Sequence, residues 1–187
     1  MASKIGMKDL YYAKLTKDDT TGVTYEAPTL IAGAISSKIS AKTDSQTLYA
    51  DDGAFDTASV LGEITVELEL ADLPLSVQAE LLGHTVANGV LEAKNTDEAP
   101  YVAIGFRALK SNGKYRYYWL LKGRFEIPDD ESKTKEDKAS FQTAKLKGTF
   151  VCRAYDGKWK LVGDEDETGF TSTDWFTATK INAGTTV

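Results

Sequence analysis

The chain has 187 residues, 42% of them hydrophobic, and a net charge of −6 with a pI near 4.9. That length holds one domain with a core of ordinary size, and the acidic balance argues against a protein that grips nucleic-acid phosphates, which takes a basic surface. An aromatic content of 10%, with Val, Thr and Tyr in short runs, favours strands over helices.

In chain order, Ile5 to Leu15 is predicted as a first strand, and Gly22 in the polar Thr16 to Pro28 supplies a turn with a brief return strand or extended arm at Thr24 and Tyr25. Ile31, Ile35 and Ile39 are spaced by four, but Gly33, the serines and β-branching lower helix propensity, so Ile31 to Ala41 is read as strand. From Thr43 to Gly62 small and acidic residues dominate, which predicts a long loop marked by Leu48, Tyr49, Phe55, Val60 and Leu61. Tyr49 and Phe55 either dock onto a partner or fold back onto their own domain.

Ile64, Val66, Leu68 and Leu70 alternate with Thr65, Glu67 and Glu69, a strand with one apolar and one wet face. Asp72 as N-cap, Pro74 in the first turn and Gly83 as the left-handed stop bound a helix at about 74–82. Its buried stripe is expected from Leu75, Ala79 and Leu82, widened by Val77 and Leu81. Val86 to Pro100 is a polar connector with an Asn88-Gly89 turn. Tyr101 to Lys110 and Lys114 to Phe125 then flank Asn112-Gly113 as a hairpin.

Asp129 to Ala139 is a charged loop of mixed sign. Phe141 to Tyr155 and Lys158 to Val162 are predicted to pair as a second hairpin around Asp156-Gly157. An acidic segment, Asp164 to Glu167, a short helical turn near Asp174, Trp175 and Phe176, and an unordered tail, Asn182 to Val187, complete the chain.

Chemistry is sparse. His84 is the sole histidine, and at a helix end it reads as a capping group facing exposed carbonyls. Cys152 is the sole cysteine, so it forms no internal disulfide, which suits an intracellular protein, and mid-strand it is expected to be buried and inert. Asp51-Asp52, Asp129 to Glu131 and Asp164 to Glu167 lack the ligand spacing of a calcium loop and read as solvated charge. Neither a phosphate-cradling loop nor a dinucleotide turn is found, and the stripe Tyr115, Tyr117, Trp119 reads as core rather than a base-stacking platform. No secretory leader and no apolar run near the roughly 20 residues of a membrane helix is visible, so a soluble, non-enzymatic protein without cofactor or metal is expected.

The order of elements resembles the major tail proteins, the tail tube subunits, of long-tailed bacteriophages. The motifs are the loop SQTLYADDGAFDTASVLG entering the strand EITVELEL, the helix DLPLSVQAELLG, and the segments YVAIGFRALKSNGKYRYYWLLKGRF and FQTAKLKGTFVCRAYDGKWKLV, with Tyr49-Ala50-Asp51-Asp52-Gly53 through the helix weighing most. The resemblance spans about Ile5 to Phe176 and implies a mainly β subunit, a sandwich or barrel with one flanking helix and a long loop, that forms stacked, hexameric rings in the virion tail after assembly in the host cytoplasm.

It also implies contacts with further copies, the tape measure protein and other tail proteins, and passage of DNA through the lumen without specific binding or any membrane. Inter-subunit contacts would fall on Met1 to Pro28, on the loop with Tyr49, Asp51, Asp52, Gly53 and Phe55, and on Thr168 to Val187. Glu67 and Glu69 are expected to face the lumen, where like charge repels a polyanion; outer solvent is the alternative. The tube protein of a phage-tail-like bacteriocin, a tail terminator and a capsid decoration protein share this profile. A carbohydrate-binding or adhesion β-sandwich, stacking sugars on Trp159 and Trp175, is the rival class.

Overall fold

A computed structural model describes residues 2–50, 53–129 and 142–183, with side chains omitted at 49–50, 53–55 and 183. The fold is mainly β with a flanking helix. β1 (Lys4–Asp19), β2 (Gly22–Tyr25), β3 (Thr29–Ile31), β4 (Ala34–Ala50) and β5 (Gly53–Leu70) precede α1 (Leu75–Leu82). β6 (Thr85–Ala87), β7 (Val90–Glu92), β8 (Val102–Lys110), β9 (Tyr115–Phe125), β10 (Ala144–Phe150), β11 (Lys160–Asp164) and α2 (Ala178–Ala183) follow. One antiparallel sheet runs β2-β1-β8-β9-β10-β5-β4, with β3 added to β1 and β11 to β9.

β9 is the centre, and its sequence says why. Tyr117 to Leu121 are all buried, the unbroken apolar run of a strand covered on both faces. Tyr118 and Leu120 enter one core; Tyr117, Trp119 and Leu121 enter another on the opposite face. Between Leu120 and Gly123 the register against β8 slips by one residue, a bulge that turns Phe125 back into the first core.

The first core gathers Leu10 and Tyr12 of β1, Val66 and Leu68 of β5, Ile104 of β8, Phe150 of β10, and Leu81 and Leu82 of α1. Side chains from both ends of the strand order meet there, so the sheet curls around them and brings β4 beside β1. The second core is closed by the C-terminal segment. Trp175 and Ile181 pack on Trp119, whose indole Nε1 donates to the Trp175 carbonyl at 2.8 Å. Gly105 permits this, because a Cβ there would lie 2.7 Å from the Trp119 ring.

The alternating strand Glu63 to Leu70 is the inner part of β5, and the Asn112-Gly113 hairpin joins β8 to β9 as expected. Asn88 and Gly89 both take positive φ, but the connector they turn is itself a small hairpin, β6–β7. α1 ends as predicted, Gly83 at φ 77° donating its N–H to the Ala79 carbonyl at 2.8 Å.

Its start differs. Pro74 holds the N-cap position without a side-chain cap, while Asp72 Oδ1 accepts from the Leu73 amide, one residue too early to serve the helix. Leu75 is 46% exposed, since Ala79, Leu81 and Leu82 already fill the face toward the sheet.

Four further expectations are corrected. The stretch Thr43 to Gly62 is not a loop; it is the outer half of a long β4–β5 hairpin paired from Ala34↔Leu70 to Ala50↔Gly53. Its poverty in apolar residues reflects the lack of a core beneath it, not the lack of a ladder, because backbone bonds between two strands need no core.

The second hairpin is not one either. β10 and β11 lie end to end along one edge of β9, β10 against Gly123 to Phe125 and β11 against Arg116 to Leu120. The Asp156-Gly157 turn survives, with the Arg153 amide donating to the Lys158 carbonyl at 2.9 Å, but the chain has left the pleat on either side of it.

That departure reverses Cys152. After Phe150 the inward phase slips by one, Arg153 turns in, and Cys152 is exposed. Asn182, expected in an unordered tail, belongs to α2 and accepts the Tyr25 amide at 2.9 Å. The charged-loop reading of Asp129 to Ala139 and the start of the second hairpin at Phe141 fall mainly outside the described residues, as do Asp51, Asp52 and the last four residues.

Candidate assembly surfaces

The β4–β5 ribbon leaves the body at Ala41. Inside that point Ile64, Val66, Leu68 and Leu70 are buried; beyond it the described side chains from Ala41 to Leu48 and Asp56 to Leu61 are all exposed. Nine residue steps at about 3.4 Å carry the ribbon about 30 Å out. β10 covers the β5 edge only along Ile64 to Leu70, so among the described residues both ribbon edges are open past Gly62.

The two faces differ in chemistry. Pairing places Asp44, Gln46, Leu48, Asp56, Ala58 and Val60 on one side, with Leu48 61% and Val60 67% exposed. Thr43, Ser45, Thr47, Thr57, Ser59 and Leu61 form the other, a hydroxyl face on which the Thr47 and Thr57 Oγ1 atoms lie 3.4 Å apart. An isolated two-stranded ribbon is marginal in water, so this one asks for something to cover it. Gly53 pairs with Ala50 within the ribbon; Asp51, Asp52 and the side chains of Tyr49 and Phe55 lie outside the described residues.

Glu67 and Glu69 stand on the wet face of β5, as expected, but not in an unopposed acidic field. Glu67 Oε2 is 3.2 Å from Lys38 Nζ on β4 and is in register with Lys147 on β10; Glu69 accepts from Ser36 and Thr143 and is in register with Lys145. One step outward Glu63 meets Lys42 at 2.7 Å, a contact that lowers the glutamate pKa and raises the lysine's. Cross-strand pairs of this kind steady a sheet and neutralise it.

Negative charge is therefore placed by segment. Between Lys42 and Lys94 the sequence has ten carboxylates and no lysine or arginine, which leaves eighteen acids against all twenty-two bases in the rest of the chain. That segment, which holds the ribbon, is strongly negative, and the remainder of the sequence carries a surplus of four positive charges.

The acidic cluster from Asp164 to Asp166 is engaged internally. Lys110, 2% exposed, bonds Asp164 and Asp166; Asp164 also accepts from Arg116 Nε at 2.6 Å and Asp166 sits 2.9 Å from Lys114. Burial pushes the Asp164 carboxyl up, but Lys110, the Asp166 amide and Arg116 outweigh it and bring it to about 2. Glu165 accepts from the Tyr115 amide and the Tyr117 hydroxyl, both at 2.8 Å. These acids clamp β11 to the β8–β9 turn and are not solvated loop charge. Among the described residues no group of acids, His and Cys is placed to hold a metal ion.

His84 keeps the backbone part of its predicted role, its N–H donating to the Ala79 carbonyl at 3.0 Å. Its ring, 6% exposed, instead meets Asp97 Oδ2 at 2.8 Å, and that carboxylate also accepts the Lys94 amide, tying the connector to the end of α1. His84, Ser76, Lys14, Glu80 and Pro100 border a groove of about 500 Å³. Glu80 is engaged by Lys14 at 3.1 Å and by the Tyr12 hydroxyl at 2.8 Å, and no hydrogen bond joins Ser76 to His84 among the described residues.

The aromatic stripe of β9 is core: Trp119 is fully buried and Tyr117 3% exposed. Trp175 is 3% exposed and Trp159 half-buried against the first core, so the two do not form an exposed pair for stacking sugars. Among the described residues no helix is long and apolar enough to cross a membrane.

The open ribbon edges are what sequence reasoning missed. The signal was present in Thr43 to Gly62 as alternating Thr, Ser and Val around Asp51-Asp52-Gly53, turn residues between strand formers. No family model matches the chain, and no curated protein matches it.

Proposed function

We propose that this protein is a structural subunit that assembles with copies of itself into stacked, hexameric rings, the tail tube of a long-tailed phage or of a phage-tail-like particle. The observation that carries the reading is the β4–β5 ribbon: about 30 Å of two-stranded sheet with two open edges and no core under it. A ribbon of that kind is a liability in a solitary protein, and pairing with neighbours in a closed ring removes the edges. The lumen would be built from the ribbons, DNA would pass along it without specific binding, and the tape measure protein would occupy it during assembly.

Glu67 and Glu69 belong to the wall in this reading, with Lys38 sharing the work of that surface. Negative-stain electron microscopy of the purified protein tests the proposal. Rings or tubes are expected from the intact chain, and a folded subunit that no longer stacks is expected when 51–58 are deleted. A monodisperse monomer at all concentrations overturns it.

A further inference from the structure

The ribbon is acidic, and the body holds a matching surface. On the wet face of β9 and β10, Lys145, Lys147 and Arg124 are exposed, with Arg124 in register with Thr149, two residues past Lys147. Lys145 and Lys147 stand in register with Glu69 and Glu67, but among the described residues none of the three has a close ion pair. Glu67 is engaged by Lys38 and Glu69 by two hydroxyls, so Lys145 has no ion-pair partner among the described residues. Lys147 has only a 3.5 Å contact with Glu126, more than half exposed on both sides, and Arg124 lies over the Tyr101 ring at 4.1 Å. Ile127, 75% exposed, follows directly on this strand.

We propose that this face is the receiving site for the acidic side of the ribbon of a second copy. Asp44 and Asp56 meet Lys145, Lys147 and Arg124, while Leu48, Ala58 and Val60 between the two acids lie against the Tyr101–Arg124 stack and Ile127. The occupant is a second copy because the chain carries both halves: a segment of ten carboxylates without a base, and a remainder with surplus positive charge. Charge matched in this way steers encounter and fixes which face meets which. Two different patches on one chain make the contact heterologous, the class that repeats into rings or filaments rather than stopping at a pair. The inference rests on the self-assembly reading and adds to it the site at which one subunit accepts the next.

The experiment uses two variants of the full chain. Asp44→Lys with Asp56→Lys spoils the ribbon and leaves the receiving face; Lys145→Gln with Lys147→Gln and Arg124→Gln spoils the receiving face and leaves the ribbon. Thermal unfolding and circular dichroism are checked against the intact chain for both, glutamine being chosen so that no new acid faces Glu67 or Glu69.

By sedimentation velocity each variant alone is expected to stay monomeric at concentrations where the intact chain assembles. Their equimolar mixture is expected to form a one-to-one pair through the single intact contact. Assembly of the intact chain is expected to weaken by about tenfold or more between 0.1 and 1 M salt, where screening shortens from about 10 to about 3 Å. Assembly of the glutamine variant at the intact chain's concentration, a mixture that remains monomeric, or indifference to salt overturns the docking site and leaves the tube reading standing. An intact chain that never assembles overturns both.

Discussion

The body around β9 and the ribbon beyond Ala41 are made of the same strands, yet they are held by opposite means. In the body each strand of the centre is covered twice, and most polar groups at depth are engaged: Tyr25 donates to the Leu121 carbonyl at 2.6 Å, and Arg153 bonds Asp156 and the Ile181 carbonyl, while Arg107 Nε and Trp175 Nε1 are buried without a hydrogen bond among the described residues. In the ribbon the ladder continues, with register shifts after Ala41 and Leu48, but among the described residues nothing lies beneath it. Burial is the dominant favourable term in folding, so the first region is stable by itself and the second borrows stability from whatever covers it. The lesson is that regular backbone pairing and a place in the core are separate properties of a strand. β4 and β5 have both at one end and only the first at the other.

The sharpest way to break this contrast is in the second core. Trp119→Ala removes a fully buried indole and the hydrogen bond to Trp175, and is expected to lower stability by about 3–5 kcal/mol in denaturant unfolding. Removing 51–58 from the ribbon is expected to leave the unfolding midpoint near that of the intact chain. A deletion as damaging as Trp119→Ala would mean that the ribbon packs on its own body.

Asp18 comes next. Its carboxylate, 3% exposed, binds Lys122 at 2.7 Å and the amides of Ala154 and Tyr155 at 2.9 and 3.0 Å, holding the end of β1 to the segment after β10. Burial pushes its pKa up, but Lys122 and the two amides prevail and hold it below the usual aspartate range. Asp18→Ala leaves a half-buried ammonium and two amides unpaired, and a loss of about 3 kcal/mol is expected. A loss under about 1 kcal/mol would show that water replaces the carboxylate.

How much of this was legible follows the same division. Alternation over Ile64 to Leu70, the Asn112-Gly113 turn and the Gly83 stop are local signals, and each stood where the residues placed it. The strand character of Thr43 to Gly62 was hidden because apolar periodicity is a signal of one buried face, and a ribbon wet on both faces leaves only the weaker alternation of its strand-forming Thr and Ser. The inward turn of Arg153 and the outward turn of Cys152 depend on where the chain leaves β9, a long-range event that alternation near Phe150 does not encode. The clamp of Lys110 on Asp164 and Asp166 joins residues more than fifty positions apart, and a run of acids by itself does not say that a lysine is waiting for it.

That clamp gives a pH dependence with a definite sign. Asp164 is held at about 2 in the folded chain against an ordinary 3.8, and Asp166 is also lowered, first by Lys110 and then by Lys114. A carboxylate lowered by folding contributes stability that is whole above about pH 4 and disappears as pH falls toward 2. The melting temperature of the intact chain should therefore fall across that window. Lys110→Met should melt lower than the intact chain at pH 7 and lose less between pH 4 and 2. Parallel curves for the two proteins would remove the clamp from the account.

On the ribbon, Leu48→Ser with Val60→Ser should shift the stability of the isolated subunit by less than about 0.5 kcal/mol, since both side chains already meet water. The same pair should weaken ring formation, measured as the concentration at which assembled species appear in sedimentation, because the face they share with Asp44 and Asp56 loses its apolar part. Stability lost without any change in assembly would place these residues against their own body.

The smallest effect is expected at Cys152. One step past the last inward residue of β10 the backbone stops following the pleat, so the thiol faces solvent while its neighbour Arg153 fills the interior site that alternation would have given to it. Cys152→Ser should change stability by no more than about 0.5 kcal/mol, as for other exposed positions without a special role. The native protein should also react with a thiol reagent at the rate of the unfolded chain, to within about tenfold, since no burial shields the sulfur. A thiol that reacts only after denaturation would mean that the phase slip after Phe150 is absent, and with it the reason β10 and β11 share one edge of β9 instead of pairing with each other.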